Sequence, residues 1–253
     1  ELMVMSVMEM DRTRLVLNGK LPVMPQHTYR MNKMIERRKK GEPLQYILGE
    51  TEFMSLDFFV REGVLIPRSD TEILVETVID KIGDKKTTVA DICTGSGCIG
   101  ISVKKLCQNT KVTLADISEG ALAVAKKNAE NLNANITLIR GNLFENIEGR
   151  FDYILSNPPY IPSQVIQGLM PEVKDHEPRL ALDGEEDGLA FYRKIIEQAP
   201  DYLNSNGRIY FEIGAEQGED MIRLMTDRGF SEVKVHKDLA GLDRIATGIY
   251  SRR

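Results

Sequence analysis

From residue 87 to the C-terminus, short apolar segments alternate with longer segments of helical periodicity. The apolar segments predict strands at 88–92, 111–115, 136–139, 151–155, 208–213 and near 232–236 and 244–251. The periodic segments predict helices at 97–107, 118–132, 188–203 and 218–228. Continuous apolar strands that alternate with helices are typical of a mainly parallel sheet covered on both faces. The pattern therefore predicts an α/β domain.

The pattern before residue 67 is different. Residues 1–42 are predicted to be helical, and the polar helix at 28–40 ends in a basic cluster before Gly41, as helix C-termini often do. A contact between this cluster and an acidic or RNA-bearing partner is the alternative. Residues 50–66 predict a β-hairpin that links two parts. Ser69 and Glu72 then match a capping box at the start of a helix.

Composition narrows the class of protein. The 253 residues are 42% hydrophobic and 28% charged, as in ordinary globular proteins, and no apolar run approaches the length of a membrane span. The net charge of −5 argues against a broad basic face for nucleic acid. Cys93, Cys98 and Cys107 fit neither a disulfide framework nor a zinc site, so we expect a reduced, cytoplasmic protein without a metal. Because the chain begins with Glu1, we expect that the natural chain starts earlier.

Candidate chemistry follows the first predicted strand. Asp91 ends this strand, and Gly95, Gly97 and Gly100 then match the GxGxxG spacing of dinucleotide-binding loops. That spacing alone is a weak signal and permits NAD, whereas the phosphate loop GxxxxGK[ST] is absent from the sequence. A carboxylate at Asp91 suits a ligand with a cationic amino group better than a pyrophosphate.

The next two strands end in further candidate ligands. An acidic residue at the tip of the second strand, Asp116, can accept both hydroxyls of a ribose. The alternative for Asp116 is a helix N-cap, a role that Ser118 can also fill. After the third strand, Asn142 can pair with a purine edge and Leu143 can cover the ring.

The fourth strand ends in Asn157-Pro158-Pro159-Tyr160. A planar NH₂ conjugated to a carbonyl or ring is a poor nucleophile, and the Asn157 side-chain oxygen and the Pro158 carbonyl can each accept one of its N–H groups. That arrangement offsets positive charge as the nitrogen attacks. The prolines hold the acceptors in place, and Tyr160 offers a flat face. The motif alone is also consistent with a strand terminator.

These motifs together resemble the class I S-adenosylmethionine-dependent methyltransferases that carry Asn-Pro-Pro-Tyr. Segments along the whole chain narrow the resemblance to the HemK/PrmC family of peptide chain release factor glutamine methyltransferases. The segments are 41–47, 67–72, the glycine loop, 157–161, 177–184, 187–189 and 212–214. The resemblance implies a seven-stranded, mostly parallel, Rossmann-like sheet. It also implies a helical recognition domain at 1–49, a hairpin linker at 50–66 and a methyltransferase domain at 67–253.

The resemblance implies methyl transfer to the side-chain amide nitrogen (N5) of the glutamine in the Gly-Gly-Gln motif of class 1 release factors. From the net charge and the lack of a long apolar run we expect no stable nucleic-acid or membrane binding, and nothing in the sequence demands more than a monomer. The implied cofactor-binding residues are Asp91, Cys93, Thr94, Gly95, Ser96, Gly97, Asp116, Asn142, Leu143 and Asn157. The implied substrate-binding residues are Asn157, Pro158, Pro159, Tyr160 and Arg179, of which Asn157, Pro158 and Tyr160 are the implied catalytic residues.

Three positions depart from the family pattern. Cys93 stands where many relatives have glycine, so we expect a φ that suits a side chain. Ser69 stands where proline is common, and Leu143 stands where some members have an aromatic residue that stacks on adenine.

Several alternatives stay open at this point. Arg179 can attach the long loop before the helix at 188–203 to the sheet, and Arg68 can anchor the hairpin. His176 lies beside Glu177, and such a pair is also consistent with acid–base chemistry. The rival enzymes are an N6-adenine DNA methyltransferase and an N2-guanine RNA methyltransferase, because both bind planar amino groups and must extrude a base. A non-catalytic interaction protein on the same fold is the third alternative.

Overall fold

The structure, a computed structural model, describes residues 1–251, so the last two residues of the predicted domain at 67–253 lie outside the described part. The N-terminal region contains four helices. They are α1 Leu2–Met8, α2 Arg12–Leu17, α3 Pro25–Lys39 and α4 Leu44–Leu48. The predicted end of α3 is confirmed, because Arg37, Arg38 and Lys39 occupy its last turn and Gly41 follows with φ of 84°. Cations at this end interact favourably with the helix dipole.

The predicted hairpin is confirmed, but it is shorter than expected. Strands β1 Glu50–Phe53 and β2 Leu56–Phe59 pair antiparallel. The extension of the hairpin to residue 66 is wrong, because Gly63 has φ of 90° and residues 60–66 form an irregular turn. Val60, Val64 and Ile66 are buried in this segment, which packs on Tyr46 of α4. Their apolar character reflects this packing and not strand pairing.

The predicted capping box is also wrong. Helix α5 begins at Ser69, Arg68 is its N-cap, and no side chain caps its first amides. Glu72 bonds outside the helix, where its Oε1 accepts the Met54 amide at 2.5 Å. The turn between β1 and β2 therefore uses the carboxylate that the sequence assigns to the helix.

The rest of the chain forms the α/β domain. Its helices are α5 Ser69–Ile82, α6 Cys98–Leu106, α7 Glu119–Asn131, α8 Pro171–Lys174, α9 Arg179–Leu182, α10 Ala190–Tyr202 and α11 Gly218–Asp227. Its strands are β3 Thr87–Ile92, β4 Thr110–Asp116, β5 Ile136–Arg140, β6 Phe151–Ser156, β7 Leu203–Glu212, β8 Ser231–Lys237 and β9 Asp243–Tyr250. A 3₁₀ turn, Ile166–Gly168, lies in the long segment between β6 and α10.

The predicted seven-stranded, mostly parallel sheet is confirmed. Its strand order is β5-β4-β3-β6-β7-β9-β8, and only the pairs that include β9 are antiparallel. The chain proceeds from β3 outward to β5 and then returns to add β6 on the other side of β3. Ligands of such sheets bind beyond the carboxyl ends of the strands at this reversal.

Two apolar clusters cover the two faces of the sheet. One packs α5 and α6 on β3 and β4, and the other packs α10 and α11 on β6, β7 and β9. The strands between them are nearly continuous in buried residues, as expected for a sheet with both faces covered. Among residues 1–251, no helix is both long and apolar enough to cross a membrane.

Candidate active site

A cavity of about 330 Å³ lies at the carboxyl ends of the central strands. This volume is within the range of small-molecule sites, roughly 300–1,000 Å³. One wall follows the ends of β3, β4, β5 and β6, and it includes Cys93, Thr94, Gly95, Ser96, Asp116, Asn142, Leu143, Asn157 and Pro159. The rest of the wall comes from residues 63–68, from Thr71 of α5 and from the start of α10, and it also includes Pro178, Leu180 and Ala181. The structure therefore brings most of the predicted cofactor residues to one cavity.

The loop after β3 is tightly wound. Cys93, Gly95 and Gly97 all have positive φ, at 61°, 55° and 82°. A side chain at Gly97 would meet Ile101 Cδ1 at 2.8 Å and Ala125 Cβ at 3.1 Å, so these neighbours would have to shift, and the positive φ also favours glycine there. Cys93 has no such freedom, and its left-handed backbone is unfavourable for a residue with a Cβ. The expectation of a φ that suits a side chain is therefore wrong.

Asp91 lies beneath this loop and outside the cavity wall. Its side chain is fully buried, and Oδ2 accepts hydrogen bonds from the Thr94 hydroxyl at 2.6 Å and the Gly100 amide at 3.0 Å. Burial raises the pKa of Asp91 to about 7, although both hydrogen bonds oppose the rise. This position gives Asp91 a clear role in holding the loop, whereas a direct contact with a cationic amino group stays a prediction.

Asp116 ends β4 and faces the cavity. Its Oδ2 accepts the Gly95 amide at 2.9 Å, and its Oδ1 accepts the Ser118 amide at 2.9 Å. Ser118 is the N-cap of α7, since its hydroxyl accepts the Ala121 amide. The N-cap alternative for Asp116 therefore does not hold, and each carboxylate oxygen keeps lone pairs for a ligand. Burial raises the pKa of Asp116, and its backbone hydrogen bonds lower it.

The turn after β5 places Asn142 and Leu143 on the cavity. Asn142 is exposed, and its amide donates to Glu145. Leu143 is buried and has φ of 56°. Ile117, which follows Asp116, also lines the cavity, and its side chain is about half exposed. Two aliphatic side chains thus flank the cavity where the resemblance implies adenine.

The Asn-Pro-Pro-Tyr motif begins where β6 ends. Asn157 is half-buried, and its Nδ2 lies 3.5 Å from the Thr71 hydroxyl oxygen. Asn157 and Pro159 line the cavity. Pro158 is buried and lies outside the cavity wall, and so does Tyr160, whose hydroxyl donates to Glu212 Oε1 at 3.3 Å. Burial is the largest cause of the raised pKa of the Tyr160 phenol.

The long segment between β6 and α10 is attached to both parts of the protein. Arg68, on the cavity wall, pairs with the buried carboxylate of Glu177, whose pKa is raised by burial and lowered by Arg68. Arg38 of α3 pairs with Glu172, and His176 lies beside Gly41. The Arg68–Glu177 pair therefore ties this segment to the residues that directly follow the hairpin linker.

Arg179 does not pin the segment to the sheet. It is exposed, lies outside the cavity wall and pairs with Asp183 one turn along the chain. A role for Arg179 in substrate binding stays a prediction. Among residues 1–251, no group of three or more His, Cys, Asp and Glu side chains could hold a metal ion.

Sequence reasoning missed several residues of the site. Thr71 lines the cavity from α5, and Phe191 and Lys194 line it from α10. Phe191 and Lys194 are three residues apart in the predicted helix, so they share a helix face, but the sequence does not show that this face meets the cavity. The sequence could have predicted Ile117 as a cavity residue, because it directly follows Asp116 at the end of a strand.

Comparison with known proteins agrees with this architecture. Residues 68–172 match the family model of the methyltransferase small domain, and residues 1–49 match that of the PrmC N-terminal domain. Among solved structures, a methyltransferase from Pyrococcus furiosus superposes with a TM-score of 0.59 at 21% identity. The superposition includes 90% of this chain and the whole of the Pyrococcus chain. A 16S rRNA N2 methyltransferase from T. thermophilus, solved with AdoMet and guanosine, superposes with a TM-score of 0.59 at 13% identity. That superposition includes 80% of this chain and 50% of the T. thermophilus chain. These two similarities concern the fold alone.

Sequence relatives are more specific. A release factor glutamine methyltransferase from Geobacter sulfurreducens is 42% identical over 98% of this chain and 87% of the relative. A second one, from Clostridium acetobutylicum, is 40% identical over 96% of this chain and 87% of the relative. Identity at this level over nearly the full chain means that this chain belongs to the HemK/PrmC family of release factor glutamine methyltransferases.

Proposed function

We propose that this enzyme transfers a methyl group from S-adenosylmethionine to the side-chain amide nitrogen of the glutamine in the Gly-Gly-Gln motif of class 1 release factors. The observation that carries the proposal is the identity of about 40% to release factor glutamine methyltransferases over nearly the whole chain. The cavity supports it, because Asn157, the first residue of the Asn-Pro-Pro-Tyr motif, lies in its wall.

The cavity residues fit S-adenosylmethionine. The Asp116 carboxylate keeps acceptor capacity for a ribose after it has bonded Gly95 and Ser118. Leu143 and Ile117 supply apolar surface for an adenine ring, and Asn142 supplies a polar edge. The glycine loop lets the backbone approach the methionine part closely. When bound, S-adenosylmethionine supplies a methyl group on a positively charged sulfur, which is already a strong electrophile.

The protein's own contribution is to orient the substrate amide. The Asn157 Oδ1 and the Pro158 carbonyl accept the two N–H groups of the glutamine side chain. These bonds hold the nitrogen lone pair in the direction of attack and stabilise the positive charge that develops on nitrogen. No general base is needed in the transfer itself, and the proton leaves afterwards to solvent.

Tyr160 supports the motif from its other end. Its hydroxyl bonds to Glu212, and its ring packs beside the apolar cluster of α10 and β7. Tyr160 therefore holds the loop in place through these two contacts. We also expect its ring to contact the substrate amide. Pro159 lies between the two ends and lines the cavity.

The proposal assigns substrate recognition to the helical region at 1–49. The Arg38–Glu172 pair joins this region to the long segment, and Glu177 of the same segment pairs with Arg68 on the cavity wall. The Gly-Gly-Gln loop would enter between the helical region and the α/β domain and approach Asn157. The enzyme needs only one copy of the chain for this arrangement.

The decisive experiment follows labelled methyl transfer to three acceptors. They are a purified class 1 release factor, the same factor with its Gly-Gly-Gln glutamine replaced, and duplex DNA. One methyl on the intact factor alone is the expected result. Label on DNA would favour the rival base methyltransferase, and equal label on both factors would reject the proposed site of modification.

A further inference from the structure

The turn between β7 and α11 has no role in the reaction described so far. Gln217 is the N-cap residue of α11, and its backbone amide donates to the Gly214 carbonyl at 3.0 Å. In return, the Gly214 amide donates to Oε1 of the Gln217 side chain at 2.8 Å. Because Oε1 faces an N–H donor, the orientation of the side-chain amide is fixed, and its NH₂ group must face away from Gly214.

That NH₂ group bonds two backbone carbonyls from other segments. Gln217 Nε2 donates to the Tyr160 carbonyl at 3.1 Å and to the Gly188 carbonyl at 3.2 Å. A primary amide has two N–H groups, so both have an acceptor here. One side chain therefore connects three segments: the turn after β7, the end of the Asn-Pro-Pro-Tyr motif and the residues just before α10.

The 184–188 segment also lies directly against the backbone of the motif. A Cβ at Gly184 would lie 2.8 Å from Tyr160 Cα, and a Cβ at Gly188 would overlap the Tyr160 carbonyl oxygen. The Gly184 amide donates to the carbonyl of Ile161, the next residue, at 2.8 Å. Glycine at these two positions allows this close approach of two backbones. The Tyr160 carbonyl is therefore held in one place, and Gln217 is its side-chain donor.

The two prolines of the motif transmit this position to Asn157. Each proline ring fixes its own φ and restricts the residue before it. The backbone between Asn157 and Tyr160 therefore has few free dihedral angles, so a shift of the Tyr160 carbonyl also moves the Asn157 side chain and the Pro158 carbonyl. Gln217 itself lies outside the cavity wall, whereas Asn157 lies in it.

We propose that Gln217 is a positioning residue for methyl transfer: through the Tyr160 carbonyl it holds the Asn-Pro-Pro-Tyr motif where its two acceptors meet the substrate amide. Because the same NH₂ group bonds Gly188, Gln217 also fixes the motif relative to the start of α10, where Phe191 lines the cavity. The inference rests on the proposed function, in which Asn157 and the Pro158 carbonyl bind the glutamine side chain.

The test removes the two N–H donors of Gln217 and keeps its shape. Gln217→Glu retains an acceptor for the Gly214 amide, but a carboxylate has no N–H for the two carbonyls. Gln217→Met removes the donors without adding charge. Gln108→Glu is the matched control, because it adds the same charge at an exposed position between α6 and β4. Methyl transfer to the release factor, cofactor affinity by calorimetry and urea unfolding are measured for each variant, so that kcat refers to folded enzyme.

Both variants of Gln217 should lower kcat at saturating substrates by about ten- to a hundredfold, the size expected when a reacting group is misplaced by about 1 Å. Cofactor affinity should change much less, because most of the proposed cofactor residues follow β3, β4 and β5. A kcat in both variants equal to that of Gln108→Glu would overturn the inference. A loss of cofactor affinity as large as the loss of kcat would also overturn it, because the whole cavity would then be disturbed.

A double variant separates positioning from a general loss of structure. Since Gln217 is proposed to act through the motif, Gln217→Glu should lower kcat by a much smaller factor in an enzyme that already carries Asn157→Ala. The same fold loss with and without Asn157→Ala would overturn the inference. If the wild-type enzyme transfers no methyl to the factor, the proposed function fails and this inference fails with it. An active wild type with unaffected Gln217 variants rejects the role of Gln217 alone.

Discussion

The Gly95 amide donates a hydrogen bond of 2.9 Å to Oδ2 of Asp116, so the loop after β3 and the tip of β4 are held together. Helix α6 separates the glycine loop from Asp116 in the sequence. The sequence therefore predicts each feature separately and does not predict the bond between them. The bond places the acid beside the glycine loop, and Asp116 lines the cavity. Asp116 thus holds the loop, and binding of a ribose by the same carboxylate stays a prediction.

Asp116→Ala should weaken cofactor binding by about ten- to a hundredfold, because it removes acceptors for the ribose and the partner of the Gly95 amide. At saturating cofactor, kcat should change much less. Calorimetry with S-adenosylmethionine measures the affinity. Asp201→Ala, an exposed acid near the end of α10, is the matched control. A normal affinity in Asp116→Ala would reject the ribose assignment.

Asn157→Ala should lower kcat by about 10²- to 10³-fold, because it removes an acceptor that stabilises charge on the attacking nitrogen. Cofactor affinity should change far less than kcat. Steady-state methyl transfer and calorimetry together separate the two effects, and Asn109→Ala, at an exposed position, is the control. The catalytic role would be untenable if the variant kept the wild-type rate.

Cys93→Gly should be more stable than Cys93→Ala by about 1 kcal/mol, because glycine adopts φ of 61° without the cost that a Cβ brings. Both variants remove the thiol, so the comparison isolates the backbone. Urea unfolding of the two variants measures the difference. If alanine is equally stable at this position, the left-handed conformation carries no strain.

Asp91 should make stability depend on pH. Its folded pKa is raised to about 7 by burial, whereas in an unfolded chain it is about 3.9. Between these values the folded state holds the proton that the unfolded state has lost, so stability decreases as the pH rises towards 7. Asp91→Asn removes this dependence. Relative to the wild type, it should gain about 2–3 kcal/mol between pH 5 and pH 8.

Urea titrations of both proteins without cofactor, at several pH values in this range, measure that gain. Parallel curves for the wild type and Asp91→Asn would mean that Asp91 is ionised throughout. Loss of the loop geometry is tested separately by cofactor binding, since asparagine can still accept the bonds from Thr94 and Gly100.

Arg68→Met should destabilise the protein by roughly 1–3 kcal/mol, because it leaves the buried Glu177 carboxylate without its cation. The loss should be larger at pH 8 than at pH 5, since burial raises the pKa of Glu177 and the Arg68 charge opposes that rise. The double variant Arg68→Met with Glu177→Gln should recover most of the loss. Additive effects in this double-mutant cycle would show that the pair does not interact.

The sequence alone was sufficient for the architecture of the α/β domain and for most of the strand-end residues that line the cavity. Apolar strands that alternate with helices have a period that can be read locally, and each of the seven predicted strands is present. The strand-end residues Asp116, Leu143 and Asn157 reach one cavity because parallel strands end at one edge of the sheet. The capping-box prediction was wrong because a carboxylate near a helix start can also accept a bond from another segment. Glu72 accepts the Met54 amide of the hairpin and does not cap its own helix.

Tertiary structure decided what each polar group faces. Asp91 and Asp116 both follow an apolar strand, yet one is enclosed beneath a loop and the other opens on the cavity. Thr71 is an ordinary helix residue in the sequence, and only the packing of α5 near the strand ends brings its hydroxyl oxygen to 3.5 Å from Asn157 Nδ2. A sequence records periodicity and residue type, which depend on near neighbours. The partner of a buried hydrogen-bonding group depends on contacts between distant segments, so it appears only once the chain is folded.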